Sequence, residues 1–284
     1  MLSRPEPREL PEVVDALRAW QYDAGPMQLH PGDLGWYQRF GAEAAATALR
    51  TWRRDGRILA VGLLDGPGLV RLGIAPEAGE DEDLAQRLVA DLTDPTRGVL
   101  PAGEAFAEAR SGELLRASLL DAGWTLDEPW APLCRDLTEP VEECGLRIEI
   151  TGPDRVPVRV DVHRAAFERS TFTPERWQAM AAGPAYADAR CLVGYDDRDD
   201  AVAAATVWSA GAGRPGLLEP VGVHRDHRGR GHGTAITLAA AATLRRLGSS
   251  TATVCTRSAN VAAVATYESA GFERLPDVRD LRRR

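Results

Sequence analysis

Between an apolar run, Leu217 to Val223, and a long alanine-rich stretch lies the segment Arg228-Gly-Arg-Gly-His-Gly-Thr234. No other part of the chain constrains the fold as strongly. It reads as a glycine-rich turn leading from a strand directly into a helix. A helix that opens in this way leaves its first backbone N–H groups without intrahelical acceptors. They point outward at the positive end of the helix dipole, where a phosphate or pyrophosphate is favoured.

Spacing separates the possible anion cradles. A Walker loop needs Lys-Ser or Lys-Thr after its last glycine, but His232-Gly233-Thr234 follows Gly231 and the chain contains no lysine. A dinucleotide fingerprint needs Gly-x-Gly-x-x-Gly and an acidic residue about 20 positions on. Here the glycines fall at 229, 231 and 233, and Ser249-Ser250 lie where the acid belongs. Neither cradle fits.

Arg-x-x-Gly-x-Gly does fit, with Arg228, Gly231 and Gly233 in register, and a second pattern follows it. This is Asn260-Val-Ala-Ala-Val-Ala-Thr-Tyr267-Glu-Ser-Ala-Gly271-Phe272, which contains the chain's only asparagine. Together the two resemble the pyrophosphate loop and the later helix and turn of the GCN5-related N-acetyltransferases (GNAT). The resemblance covers the second half closely and the first half in outline. It implies acetyl-coenzyme A as co-substrate and a fold with a mixed central sheet flanked by helices. Its expected cofactor contacts are Val221, Gly222, Val223, Arg228, Gly229, Arg230, Gly231, His232, Gly233, Thr234, Asn260 and Tyr267.

Moving an acetyl group from a thioester to an amine requires removal of the ammonium proton, stabilisation of the carbonyl oxygen and protonation of the departing thiolate. The resemblance gives the last role to Tyr267. Glu219, four residues before Val223 on the strand that ends at the cradle, is the best-placed carboxylate for the first. It acts directly or through water, and partial burial would raise its pKa usefully. A backbone N–H around Val221 to Val223 is the expected oxyanion donor. Pro220 interrupts ladder pairing and suits a strand that splays from its neighbour, opening a slot for the pantetheine arm. Phe167, Phe172, Trp177 and Trp208, with Ser170, are candidates for the acceptor side, although each is also an ordinary core residue. His224, His227 and His232 crowd the loop, but no carboxylate or cysteine has matching ligand spacing, so no metal is expected.

Alternating β and α pieces imply an α/β chain with a mixed sheet. The second half reads as strand Leu146 to Ile150, helices after Pro153 and from Pro174, strands Cys191 to Tyr195, Ala201 to Ser209 and Leu217 to Val223. Then come helix Gly231 to Leu247, strand Thr251 to Thr256, helix Asn260 to Ala270 and a last strand after Phe272. The first half repeats this order faintly, with helices Leu10 to Trp20 and Gly41 to Trp52 and strands Ile58 to Leu64 and Leu69 to Ala75. It continues with helix Glu82 to Leu92, a strand near Phe106 and helix Gly112 to Ala122. We read a tandem pair of domains, 1–139 and 140–284, meeting in the acidic segment Leu137 to Gly145. The layout is similar to that of the mycothiol synthases.

The copies differ at the cradle. Glu77, Glu80, Asp81, Glu82 and Asp83 follow Pro76 in the first half, where a phosphate would meet carboxylates. That half is expected to lack coenzyme A and to wall the acceptor pocket, with Trp36, Tyr37 and Trp52 as possible contributors. A formal charge of -8 weighs against nucleic acid, which calls for basic patches, and is compatible with a cationic amine. No apolar run approaches the roughly 20 residues needed to cross a bilayer, and the N-terminus lacks a signal-peptide core, so a cytoplasmic monomer or homodimer is expected. The four cysteines show no metal-binding spacing and read as reduced thiols. The expected activity is transfer of an acetyl group to the primary amine of a small molecule or peptide, by direct attack on the thioester. A mycothiol-precursor-type amine is one acceptor to consider. A non-catalytic acyl-coenzyme A sensor or partner-binding module is the alternative.

Overall fold

Both halves of the chain contribute to one continuous sheet. The structure, a computed structural model, describes residues 1–284. The first half runs β1 (Leu2–Ser3), α1 (Leu10–Ala19), α2 (Pro31–Tyr37), α3 (Ala42–Ala48), β2 (Leu49–Arg54), β3 (Arg57–Leu64) and β4 (Leu69–Ile74). It continues through α4 (Glu82–Thr93), β5 (Ala105–Glu108), α5 (Glu113–Asp121) and β6 (Thr125–Asp136). The second half runs β7 (Arg147–Ile150), α6 (Val156–Ala166), α7 (Pro174–Ala181), β8 (Ala189–Tyr195), β9 (Ala201–Ser209) and β10 (Gly216–Val223). It ends with α8 (His232–Arg246), β11 (Thr251–Arg257), α9 (Val261–Ser269), β12 (Glu273–Arg274) and β13 (Val278–Arg283).

The strand order is β1-β2-β3-β4-β5-β13-β6-β11-β10-β9-β8-β7, with β12 paired to β6. Parallel pairing occurs at β4–β5 and at β10–β11. The fold is therefore the mixed α/β arrangement expected, with two similar halves side by side.

The halves exchange strands at their junction. The last strand of the chain, β13, inserts between β5 and β6 of the first half. In return β6 runs on into the second half, where its residues Trp130 to Asp136 pair with β11. Sequence reading missed β6, because Pro129 and Pro132 interrupt it and proline is uncommon within a sheet. It also placed Leu49 to Trp52 in a helix. The alanine-rich turn ends at Ala48, and Leu49, Thr51 and Trp52 instead bury themselves as strand β2. The seven-residue α2 was missed as well; its start is fixed by Pro31 and by a reciprocal cap between His30 and Asp33.

One core cluster joins Leu17, Leu34 and Leu72 of the first half to Phe172, Trp177 and Trp208 of the second. Helix α2 lies hard against Trp208. A Cβ on Gly32 would come 2.5 Å from that side chain, and one on Gly35 would come 2.3 Å. These two glycines let the halves meet at backbone distance.

Candidate active site

The anion cradle depends on Gly229 and Gly231, whose φ angles are +75° and +82°, left-handed values that side chains resist. They turn the chain sharply so that α8 begins at His232. No side chain caps that helix, and the N–H groups of residues 229–234 find no acceptor within the protein. Gly233 has a different job. A Cβ there would meet Thr266 Cγ2 at 3.0 Å, so the third glycine admits α9 beside the start of α8. Arg228 Nη2 donates to the Ala166 carbonyl at 2.7 Å and Arg225 Nε to that of Ala165 at 3.0 Å, which anchors the loop on the end of α6. Arg230 is exposed and Thr234 lies in the first turn.

A slot opens beside the cradle. Strand β10 pairs with β11 only at Gly216 and Leu217, while its other edge stays on β9 through Val221, Gly222 and Val223 after a register shift between Leu218 and Val221. The shift falls at Glu219 and Pro220, where Trp208 Nε1 donates to the Glu219 carbonyl at 2.7 Å. Beyond Leu217 no strand covers the β11-facing edge of β10. The first half has filled its own equivalent. There Leu29 N–H donates to the Leu72 carbonyl at 3.2 Å and Ile74 N–H to Gln28 Oε1 at 2.8 Å. The start of α4 is likewise closed by Asp81, which accepts from Leu84 N–H at 2.9 Å.

The slot leads into a cavity of about 570 Å³ between the halves. Glu219, Tyr267, Cys255 and Phe167 line it from the second half, and Asp33, Arg71, Glu108 and Arg110 from the first. The charged groups form a chain across the floor. Arg71 pairs with Asp33 at 2.9 Å and Glu108 at 3.1 Å; Arg110 pairs with Glu108 and Asp280, both at 3.3 Å. Eight carboxylates and three arginines line the cavity in all. The third arginine, Arg257, is paired with Glu128 at 3.1 Å. The net field therefore favours positive charge.

Burial, reinforced by the neighbouring Asp33 charge, pushes the Glu219 carboxyl up to about 8. Asp33 moves the other way. Burial opposes its ionisation, but the Arg71 charge and the hydrogen bond from His30 N–H outweigh that cost and hold it below its ordinary value. Of the two carboxyls, Glu219 is the one that keeps its proton at neutral pH. Tyr267 is pushed up to about 12 by burial and by the nearby Glu219 and Cys255 charges, so it stays a phenol able to donate. Burial also raises Cys255 to about 11, against the pull of Arg110.

Residues 159–272 match the sequence profile of the Acetyltransferase (GNAT) family. That stretch of the second half is a GNAT-family domain by sequence. GNAT acetyltransferases are acetyl-coenzyme A enzymes as a family. No curated protein is matched by the sequence. Among solved structures, a tandem GNAT protein from the clavulanic acid biosynthesis pathway is 16% identical, covers 100% of this chain and 98% of its own, and superposes with a TM-score of 0.62. An acetyltransferase of the GNAT family from Colwellia psychrerythraea is 17% identical over 99% of this chain and 98% of its own, with a TM-score of 0.61. A GCN5-related N-acetyltransferase from Sphaerobacter thermophilus is 18% identical over 100% and 95%, with a TM-score of 0.56. At these identities the likeness is one of fold, and it extends over both halves.

Within the GNAT domain the structure brings Glu219 and Tyr267 to one cavity, but it disperses the apolar acceptor candidates. Only Phe167 reaches the cavity. Phe172, Trp177 and Trp208 are 2%, 8% and 1% exposed and pack in the shared core, Trp177 from α7, Phe172 from the segment before it and Trp208 from β9. Ser170 borders a separate shallow crevice. Trp36 packs at a tilt against the contacting rings of His163 and Phe172, at centroid distances of 5.5 and 5.2 Å, Tyr37 packs on Phe40, and Trp52 donates to Asp91 within the first core; none lines the cavity. Asn260 caps α9, accepting from Ala263 N–H at 3.3 Å.

Asp33, Arg71, Glu108 and Arg110 were missed. A charged residue inside the apolar strand Leu69–Ile74 was the available signal for Arg71; nothing local marks Asp33, whose role arises from a contact across the halves. The reason for expecting no metal also fails, since the fold carries Asp196 from the turn between β8 and β9 to His227 and His232.

Proposed function

We propose that the protein is an acetyl-coenzyme A-dependent N-acetyltransferase acting on a small amine that carries further positive charge. The observation that carries this reading is the meeting of an open β10 edge, a free N–H cradle and the Glu219–Tyr267 pair at one carboxylate-rich cavity. Pyrophosphate binds the amides of residues 229–234, with Arg230 adding a charge-assisted bond. The pantetheine arm pairs along Val221 to Val223 like an added strand, and a backbone N–H there stabilises the carbonyl oxygen as it gains charge. The first half supplies acceptor-side walls and binds no coenzyme, its slot being occupied by Gln28 and Leu29 and its helix start by Asp81. We take the boundary at 139/140 as the division of the chain into these roles.

Every arginine in the cavity is already ion-paired, so none is left to hold a substrate carboxylate, whereas carboxylates are in excess. A second ammonium on the acceptor would sit against them, and its charge would favour the ionised form of Glu219. Glu219 then takes one proton of the reacting ammonium, the amine nitrogen bonds to the thioester carbonyl carbon, and the carbon–sulfur bond breaks as Tyr267 protonates the departing thiolate and regains a proton from the still-protonated amide nitrogen. An acyl-enzyme on Cys255 is disfavoured, because a thiol raised to about 11 is a poor nucleophile at neutral pH.

The test is acetyl transfer to a panel of monoamines, diamines, polyamines and amino acids. The reading expects kcat/KM to rise with the number of ammonium groups, and Tyr267→Phe to lower kcat by about 10²-fold or more, as for loss of a positioned acid. Preference for an acidic amino acid, or full turnover in Tyr267→Phe, would overturn it.

A further inference from the structure

Outside the catalytic cavity, three metal-binding side chains from separate parts of the chain converge beside the cradle. Asp196 comes from the turn after β8, His227 from the short turn after β10, and His232 from the first turn of α8. One potential ligand atom from each lies within 4.8 Å of the others. All three residues are only partly exposed.

The imidazoles are not otherwise engaged. Nδ1 of His227 and Nε2 of His232 are both shut off from solvent and have no hydrogen-bond partner. A buried ring nitrogen without a partner loses its hydration and gains nothing in return, and two such atoms in one cluster call for a common ligand. Asp196 is held in place independently, its Oδ1 accepting the N–H groups of Arg198 and Asp200 at 3.0 Å each. Outer bonds of this kind orient a ligating carboxylate and leave its second oxygen free. His224 lies against His227 at a centroid distance of 5.2 Å, but its Nδ1 already accepts from Asp226 N–H at 3.3 Å.

We propose that Asp196, His227 and His232 form a binding site for one divalent transition-metal ion of the zinc class. Two imidazole nitrogens and one carboxylate oxygen suit Zn²⁺ or Co²⁺, with water completing the coordination, and do not suit Mg²⁺ or Ca²⁺, which favour all-oxygen shells. The ion fastens the β8–β9 turn to the loop and first helical turn whose amides form the cradle. It lies outside the cavity that holds Glu219 and Tyr267, and its role is to fix the loop.

Co²⁺ titrated into the metal-free full-length protein at pH 7.5 tests the site. One equivalent per chain should bind and give visible d–d absorption without an intense sulfur-to-metal charge-transfer band. Asp196→Asn keeps the oxygen that accepts from Arg198 and Asp200 and removes the anionic charge; His227→Ala removes one imidazole. Each should weaken binding by about 10²-fold or more, at or beyond the effect of losing an outer-shell partner. Zn²⁺ should raise the melting temperature of the parent protein but not of either variant, and matching circular dichroism spectra would show that both variants fold. Absent binding, unchanged affinity in the two variants, or a thiolate charge-transfer band would overturn the assignment.

Discussion

Glu219 of β10 and Asp33 of α2 line one cavity from opposite halves of the chain, and the Asp33 charge adds to burial in raising the Glu219 carboxyl. Neither half alone contains the pair. Because Glu219 is raised from 4.5 to about 8, it is protonated in the free protein at neutral pH and must ionise to act as a base. The expected pH profile of kcat/KM for the free enzyme rises to a plateau through a limb near pH 8. Asp33→Asn should move that limb to lower pH, since it removes a neighbouring negative charge while leaving burial in place. Glu219→Gln should abolish the limb.

The same shift has a stability consequence with a definite sign. A group whose pKa is higher folded than unfolded contributes stability in its protonated form. That contribution is full below pH 4.5 and is lost as pH rises through about 8. Chemical denaturation across this window should show a fall in stability that Glu219→Gln flattens; an equal fall in the variant would place the titration elsewhere.

Contact between the halves depends on the smallness of Gly35. A Cβ there lies 2.3 Å from Trp208, and neither the ring nor α2 can yield without disturbing the shared core. Gly35→Ala should destabilise the protein by about 1–3 kcal/mol, the usual cost of overpacking. It should also shift the Glu219 limb, because Trp208 Nε1 holds the Glu219 carbonyl. Melting curves and a pH profile of the variant would check both effects.

Strand exchange makes the second half dependent on a piece of the first. A protein cut to residues 140–284 lacks β6 and so loses the partner of Thr251 to Arg257. It exposes an unpaired edge of the kind that aggregates. Size-exclusion chromatography should show this fragment aggregated or unfolded, whereas a stable monomer that binds acetyl-coenzyme A would mean that β6 is dispensable.

Much of the second half was legible because its signals are local. The glycines at 229, 231 and 233, the proline at 220 and the asparagine at 260 each act within a few residues of themselves. Most strand and helix limits there agree with expectation to within one or two residues, but the single last strand expected after Phe272 is two, β12 and β13. What escaped is non-local. Strand β6 contains two prolines and is held by β11, β12 and β13, all distant in sequence, and β13 belongs to the sheet of the other half. Asp33 gains its meaning from Glu219, and Asp196 from two histidines. Trp208 and Phe172 looked like pocket residues because aromatic type does not reveal which face of an element is covered.

Calorimetric titration of acetyl-coenzyme A into the full-length protein and into Gly231→Glu tests the central claim most directly. The account predicts one site per chain and its loss in the variant, where a carboxylate enters the phosphate position and a side chain strains a φ of +82°. Two sites per chain, or undiminished affinity in Gly231→Glu, would contradict it.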